Sequence, residues 1–135
     1  MTLSFAAPVT TSFVSVPLSV QPEDYRTVVD GGAAVVDLRG AAARRESGAL
    51  LGALALDLDE ALELLTPNNP GALHSATTQA QWLLVTEDGY DAEWLAWHLQ
   101  ARGVPGARFL VGGHRALAET GVTGTVAAED HQFFV

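Results

Sequence analysis

Between Val85 and Asp91 the chain reads Thr86-Glu87-Asp88-Gly89-Tyr90, which puts a hydroxyl and, with Asp91, three carboxylates within six residues. Such a run could do two kinds of chemistry. A hydroxyl beside a general base can act as a nucleophile, and carboxylates that converge can hold a cation. Thr86 has no Lys or His beside it in sequence to take its proton, and an unassisted threonine hydroxyl does not ionise near neutral pH. Asp91 falls where a helix should begin, and an acid there more often caps the helix or complements its dipole than binds metal. His74, His98, His114 and His131 are not paired at i, i+4 on one helix, so no metal site is expected. No motif calls for a cofactor either.

Trp94 and Trp97 follow the loop, three residues apart. Tryptophans at that spacing more often pack in a core or at its rim, but a partly exposed tryptophan is enriched at interfaces. They are the best hint of a partner that the sequence offers. Arg39, Arg44 and Arg45 come closest to a basic patch and are expected on a solvated loop.

Seven Lys and Arg stand against sixteen Asp and Glu, a formal charge of -9. The resulting field repels phosphate backbones and anionic headgroups, so neither nucleic acid nor a membrane surface is expected as a partner. With 48% apolar and 17% charged residues in 135, the chain has the makeup of one globular domain. Residues 1–12 are expected as a flexible leader and 13–135 as the domain. The absence of cysteine excludes disulfides, thiolate ligands and thiol nucleophiles together. The first 22 residues are uncharged, but they lack a basic start and are broken by Pro8, Thr10, Thr11, Ser12 and Pro17, which favours a cytoplasmic protein over a secreted one.

The loop needs elements to position it. Phe13–Val16 is short and β-branched enough for an edge strand. Pro22 followed by Glu23 and Asp24 opens a helix that Gly31-Gly32 ends. Ala33–Leu38 is a continuous apolar run closing on a charge, the pattern of a strand buried on both faces. Residues 40–52 are expected as a loop, with a short apolar run at Ala53–Leu56, a helix over Asp57–Leu65 and turn formers from Thr66 to Gly71. Trp82–Val85 is a strand and Asp91–Arg102 a helix, in which Ala92, Leu95, Ala96 and Leu99 form one packing stripe. Arg108–Val111 is the next strand, and Gly112-Gly113 opens a last helix. Strands alternating with helices predict an α/β domain with a mostly parallel central sheet flanked by helices. Ligands in such sheets bind beyond the carboxyl ends of the strands, where the Thr86–Asp91 loop should lie, its backbone N–H groups forming an anion cradle.

Three spaced motifs, running with the element order from about Pro22 to Gly121, resemble a rhodanese-like domain of the sulfurtransferase family. Val35-Val36-Asp37-Leu38-Arg39 is similar to that family's strand ending in Asp-x-Arg. Gly48-Ala49-Leu50-Leu51-Gly52-Ala53 resembles its Gly-His-Ile-Pro-Gly-Ala turn, with His and Pro replaced. Gly89-Tyr90 and the Leu99-to-Gly103 helix ending complete the set with the following strand and Gly112-Gly113. The resemblance implies that Thr86 stands where active relatives carry the cysteine that takes up sulfane sulfur, and that Glu87, Asp91 and Ala92 stand where Arg and Ser are common. It further implies that Asp37 and Arg39 brace the loop and that Trp94 lies near its mouth.

A threonine cannot form a persulfide, so the family reaction is not expected. Two functions follow as expectations. One is a non-catalytic binding or regulatory module that takes a protein partner or a small ligand at Thr86–Asp91, with Trp94, Asp37 and Arg39 contributing. The other is a sulfurtransferase-related enzyme or hydrolase using Thr86 or a cysteine from a partner. A homodimer stays open.

Overall fold

Along the central strand, Trp82–Val85, side chains alternate between two apolar clusters, and this alternation organises the molecule. The computed structural model describes residues 18–50, 52–120 and 125–126; the expected leader, the Phe13–Val16 strand and His131 lie outside them. Trp82 and Leu84 face one cluster with Val36, Leu95 and Leu99. Leu83 and Val85 face the other with Val20, Tyr25, Val35 and Leu117. Both faces are covered, so the strand carries no polar residue.

The strands are β1 (Ser19–Val20), β2 (Ala34–Asp37), β3 (Ala49–Leu50), β4 (Leu54–Ala55), β5 (Trp82–Val85), β6 (Ala107–Leu110) and β7 (Thr125–Val126). The helices are α1 (Tyr25–Asp30), α2 (Ala41–Ser47), α3 (Leu58–Leu65), α4 (Tyr90–Ala101) and α5 (Gly113–Thr120), with a 3-10 turn at Pro22–Asp24. Five strands make one sheet in the order β1-β6-β5-β2-β4, and every pairing in it is parallel. β3 pairs antiparallel with β7 in a separate ribbon. The fold is α/β, with α3 and α4 contributing to one cluster and α1 and α5 to the other. The stripe expected on the 91–102 helix is real: Ala92, Leu95, Ala96 and Leu99 are all fully buried.

Two expectations need correction. Residues 40–52 are not a continuous loop, since Ala41–Ser47 is helical. The Ala-Ala-Ala-Arg-Arg-Glu run is made of good helix formers, and Gly48 at φ 89 ends it. Arg39 is not on a solvated loop with Arg44 and Arg45 either; it is 4% exposed. Among the described residues no helix is long and apolar enough to cross a membrane.

Candidate functional site

β5 ends at Val85, and Thr86 is the first residue beyond the carboxyl edge of the sheet. The chain must then reverse into α4 within a few residues. Gly89 makes this possible with φ 94, where a Cβ would lie 3.0 Å from both Gly112 N and Leu110 O. Positive φ and close backbone approach together demand glycine. The loop rests on the start of α5, whose first-turn N–H groups lack partners in their own helix. His114 N donates to Thr86 O at 2.9 Å and Arg115 N to Glu87 O at 3.1 Å.

The loop closes on itself from within. Thr86 is buried, and its Oγ1 accepts a hydrogen bond from Gly89 N at 3.0 Å. Asp88 Oδ1 accepts from Tyr90 N at 3.1 Å. These are the local side-chain turns that Ser, Thr and Asp make with backbone two or three residues on. They occupy two donors that an anion in the loop would need.

The carboxylates diverge. Glu87 turns inward and its Oε1 is buried without a hydrogen-bond partner. Asp88 serves the loop. Asp91 is exposed and lines a groove with Leu58 and Leu62 of α3 and with Trp94. The three acids do not converge, because the helix start sends Asp91 to the flank of α4. Among the described residues no group of three His, Asp or Glu side chains could hold a metal ion.

Asp37 and Arg39 lie behind this edge as a buried pair. Arg39 Nη2 donates to Asp37 Oδ2 at 2.9 Å, and its Nε and backbone N both reach Oδ1, at 3.1 and 3.0 Å. Nη2 also donates to Gly48 O at 2.8 Å. Arg39 thus ties the end of β2 to the turn after α2, while Leu38 N ties the same segment to β5 through Val85 O at 2.8 Å.

Thirty chains among the solved structures are similar to this chain, and three of them show the likeness. A protein of unknown function from Rhodopseudomonas palustris, described as a possible tyrosine phosphatase, has a TM-score of 0.69 at 16% identity, covering 90% of this chain and 96% of its own. A human single-domain sulfurtransferase has a TM-score of 0.63 at 20% identity, covering 77% and 97%. A rhodanese homolog from Thermus thermophilus has a TM-score of 0.56 at 26% identity, covering 74% and 100%. The fold is that of a rhodanese-like domain. No model of a known protein family matches the chain by sequence, and no curated protein does.

Within this fold the Thr86–Asp91 loop occupies the carboxyl edge of the sheet, and the tertiary structure adds a residue the sequence did not assign. His114, 28 positions from Thr86 in sequence, is buried behind the loop, and its Nε2 has no hydrogen-bond partner. The Gly112-Gly113 turn before it was the available signal. Burial, and then the Arg39 guanidinium, push the His114 pKa below 6.5, against the opposing pull of Glu87 and Asp37.

A pH dependence follows. The unfolded chain binds a proton near the ordinary histidine value, whereas the folded chain binds it only at lower pH. Stability is therefore fully present above about 6.5 and falls as pH drops from there toward the folded value. The urea midpoint should decline between roughly pH 7.5 and 5.5, and His114→Asn should flatten that decline. An unchanged slope in the variant would show that other groups set it.

Trp94 and Trp97 are not core residues, being 53% and 62% exposed. The buried stripe of α4 is complete without them, and they fall on its outward side.

Proposed function

We propose that this chain is a non-catalytic rhodanese-like module that binds a protein partner at the carboxyl edge of its sheet, around Thr86–Asp91. The observation that carries the proposal is the state of Thr86. Its hydroxyl is buried and committed to Gly89 N, among the described residues it has no side-chain hydrogen bond to a general base, and no cysteine exists in the chain to take up sulfur. A small anionic ligand is disfavoured, because the donors at Gly89 and Tyr90 are already satisfied and Asp88 lies over one of them. The same geometry argues against carrying over phosphatase chemistry from the Rhodopseudomonas palustris neighbour, since a phosphoryl group needs free donors and a nucleophile. A cytoplasmic location is part of the proposal.

The direct test is thiocyanate formation from thiosulfate and cyanide by the purified chain. The expected rate is that of buffer alone; a faster rate that disappears in Thr86→Val would overturn the non-catalytic assignment. Affinity capture tests the interface: proteins recovered by wild type should be lost with Glu87→Gln, Asp88→Asn and Asp91→Asn combined, and identical recoveries would exclude the loop.

Restoring cysteine should not restore the enzyme. In Thr86→Cys the thiol would be buried next to Glu87 and Asp88, and burial and like charge both raise a thiol pKa. Both effects leave less thiolate near neutral pH. Sulfurtransferase activity in this variant is expected to stay near background, and a full gain of activity would show that the acids do not govern the loop.

A further inference from the structure

Tyr90, Trp94 and Trp97 stand at i, i+4 and i+7 on α4, which places them on one face of the helix. They are 75%, 53% and 62% exposed. Scattered exposed apolar residues are ordinary, but three neighbouring large aromatic rings on one face are not. The two tryptophans are also held in position. The His98 ring sits 4.3 Å from that of Trp94 in a tilted arrangement and 5.2 Å from that of Trp97, edge to face. Rings fixed before binding lose less side-chain entropy when a partner arrives.

Grooves run along both sides of Trp94. One, of about 710 Å³, lies between α3 and α4 and offers Leu58 and Leu62, rimmed by Asp59, Glu63 and Asp91. The other, of about 270 Å³, is formed by Leu18 with the three aromatic rings and is rimmed by Glu93. Arg102 is the basic residue in the first lining. All four of these carboxylates are exposed, and none has an ion pair or hydrogen bond among the described residues. The surface is therefore aromatic and apolar at its centre and acidic at its margins.

We infer that this face of α4 docks a basic amphipathic segment of a partner protein. The inference rests on the binding-module reading and supplies the partner's chemistry, but it assigns contact to the outward face of α4 beyond the loop itself. Charge selects the occupant. A second copy would bring the same acids, and each chain carries -9, so face-to-face self-association is opposed. Residues 1–17 contain no charged side chain and would leave the rim carboxylates unanswered. A segment with apolar residues on one side and Lys or Arg on the other satisfies both features: its apolar side chains enter the Leu58–Leu62 groove, and its cations meet the carboxylates and the Trp94 and Trp97 faces.

The test uses the full chain, with binding read by calorimetry. The probe is a synthetic amphipathic helical peptide of Leu and Lys, and the control is its Leu and Glu counterpart. The Lys peptide should bind with Kd on the order of 10 µM and weaken at least about tenfold as salt is raised to roughly 0.5 M. Trp94→Ala with Trp97→Ala should cost at least about tenfold. Asp59→Asn, Glu63→Gln and Glu93→Gln together should cost several-fold and remove most of the salt dependence. All these positions are exposed, so each variant should keep the wild-type circular dichroism spectrum.

Equal binding of the two peptides, or affinity unchanged in the tryptophan variant, would overturn the inference. So would sedimentation showing a dimer that the tryptophan substitutions dissociate, or tryptophan fluorescence in the free full chain already shielded from acrylamide, since the face would then be covered by a second copy or by residues 1–17. Thiosulfate-dependent turnover would defeat the module reading without touching these peptide results, so the two failures are distinguishable.

Discussion

Asp37→Ala should lower the free energy of unfolding by about 3–5 kcal/mol, among the largest single effects expected in this chain. The Arg39 side chain is fully buried in the pair. Asp37 accepts three of its hydrogen bonds, and Nη1 already has no partner. Without the carboxylate, a guanidinium that cannot deprotonate is left in the interior with Gly48 O as its remaining acceptor. The penalty comes mainly from that stranded charge, because the desolvation of both ions offsets much of their attraction. Replacing both partners, Asp37→Leu with Arg39→Met, should therefore cost less than Asp37→Ala alone. Urea denaturation with unchanged m-values would measure both. A loss below about 1 kcal/mol in Asp37→Ala would mean that water reaches Arg39 when its partner is removed.

The second large effect is at Gly113. Its φ is 66, and an added Cβ would fall 2.3 Å from Thr86 O and 2.6 Å from Glu87 O. Those are backbone atoms of the loop, held by the N–H groups of His114 and Arg115, so no side chain can swing aside to relieve the clash. Gly113→Ala should cost about 2–5 kcal/mol, combining a left-handed backbone penalty with overpacking. Gly103→Ala is the control, since its φ is 94 and nothing lies within 4 Å of the added methyl. It should cost only the backbone penalty, about 1–2 kcal/mol. Amide exchange at Gly89 and Tyr90 should accelerate in Gly113→Ala and stay slow in Gly103→Ala. Equal effects from the two variants would show that contact with the Thr86 loop contributes nothing.

The Gly113 contact joins segments far apart in the chain, whereas Asp37 and Arg39 stand two residues apart and form a pair that a motif could suggest; together they mark how much could be read from the order of residues. β2 and β5 were legible because a strand covered on both faces reads as an unbroken apolar run, in β2 as far as Asp37 at its end, and α4 because Ala92, Leu95, Ala96 and Leu99 recur with the helical period. The Thr86 loop was legible for the same reason: a strand, a glycine turn and a helix in succession fix where the chain leaves the sheet. α2 was missed because no apolar stripe marks it; none of its residues is buried, and helix propensity alone is a weak signal.

Side-chain direction was the harder part. Arg39 is drawn out of solvent only when the Gly48 carbonyl meets it from beyond α2, and Glu87, Asp88 and Asp91 look like one cluster until the turn into α4 sends each a different way. Trp94 and Trp97 could be read as packing residues or as a partner surface, with packing the commoner case, and His114 had no evident neighbour.

The order and period of apolar residues in this chain determined its α/β class, the two-sided sheet and the place of the loop, because burial of a face is a local and periodic demand on sequence. Which more distant groups meet was left to the tertiary structure: Arg39 with the Gly48 carbonyl, the Thr86 carbonyl with His114 N, and the aromatic face of α4 with the acids of α3. Such pairings depend on distances between segments joined only through the packed core, and no pattern along the chain encodes those distances.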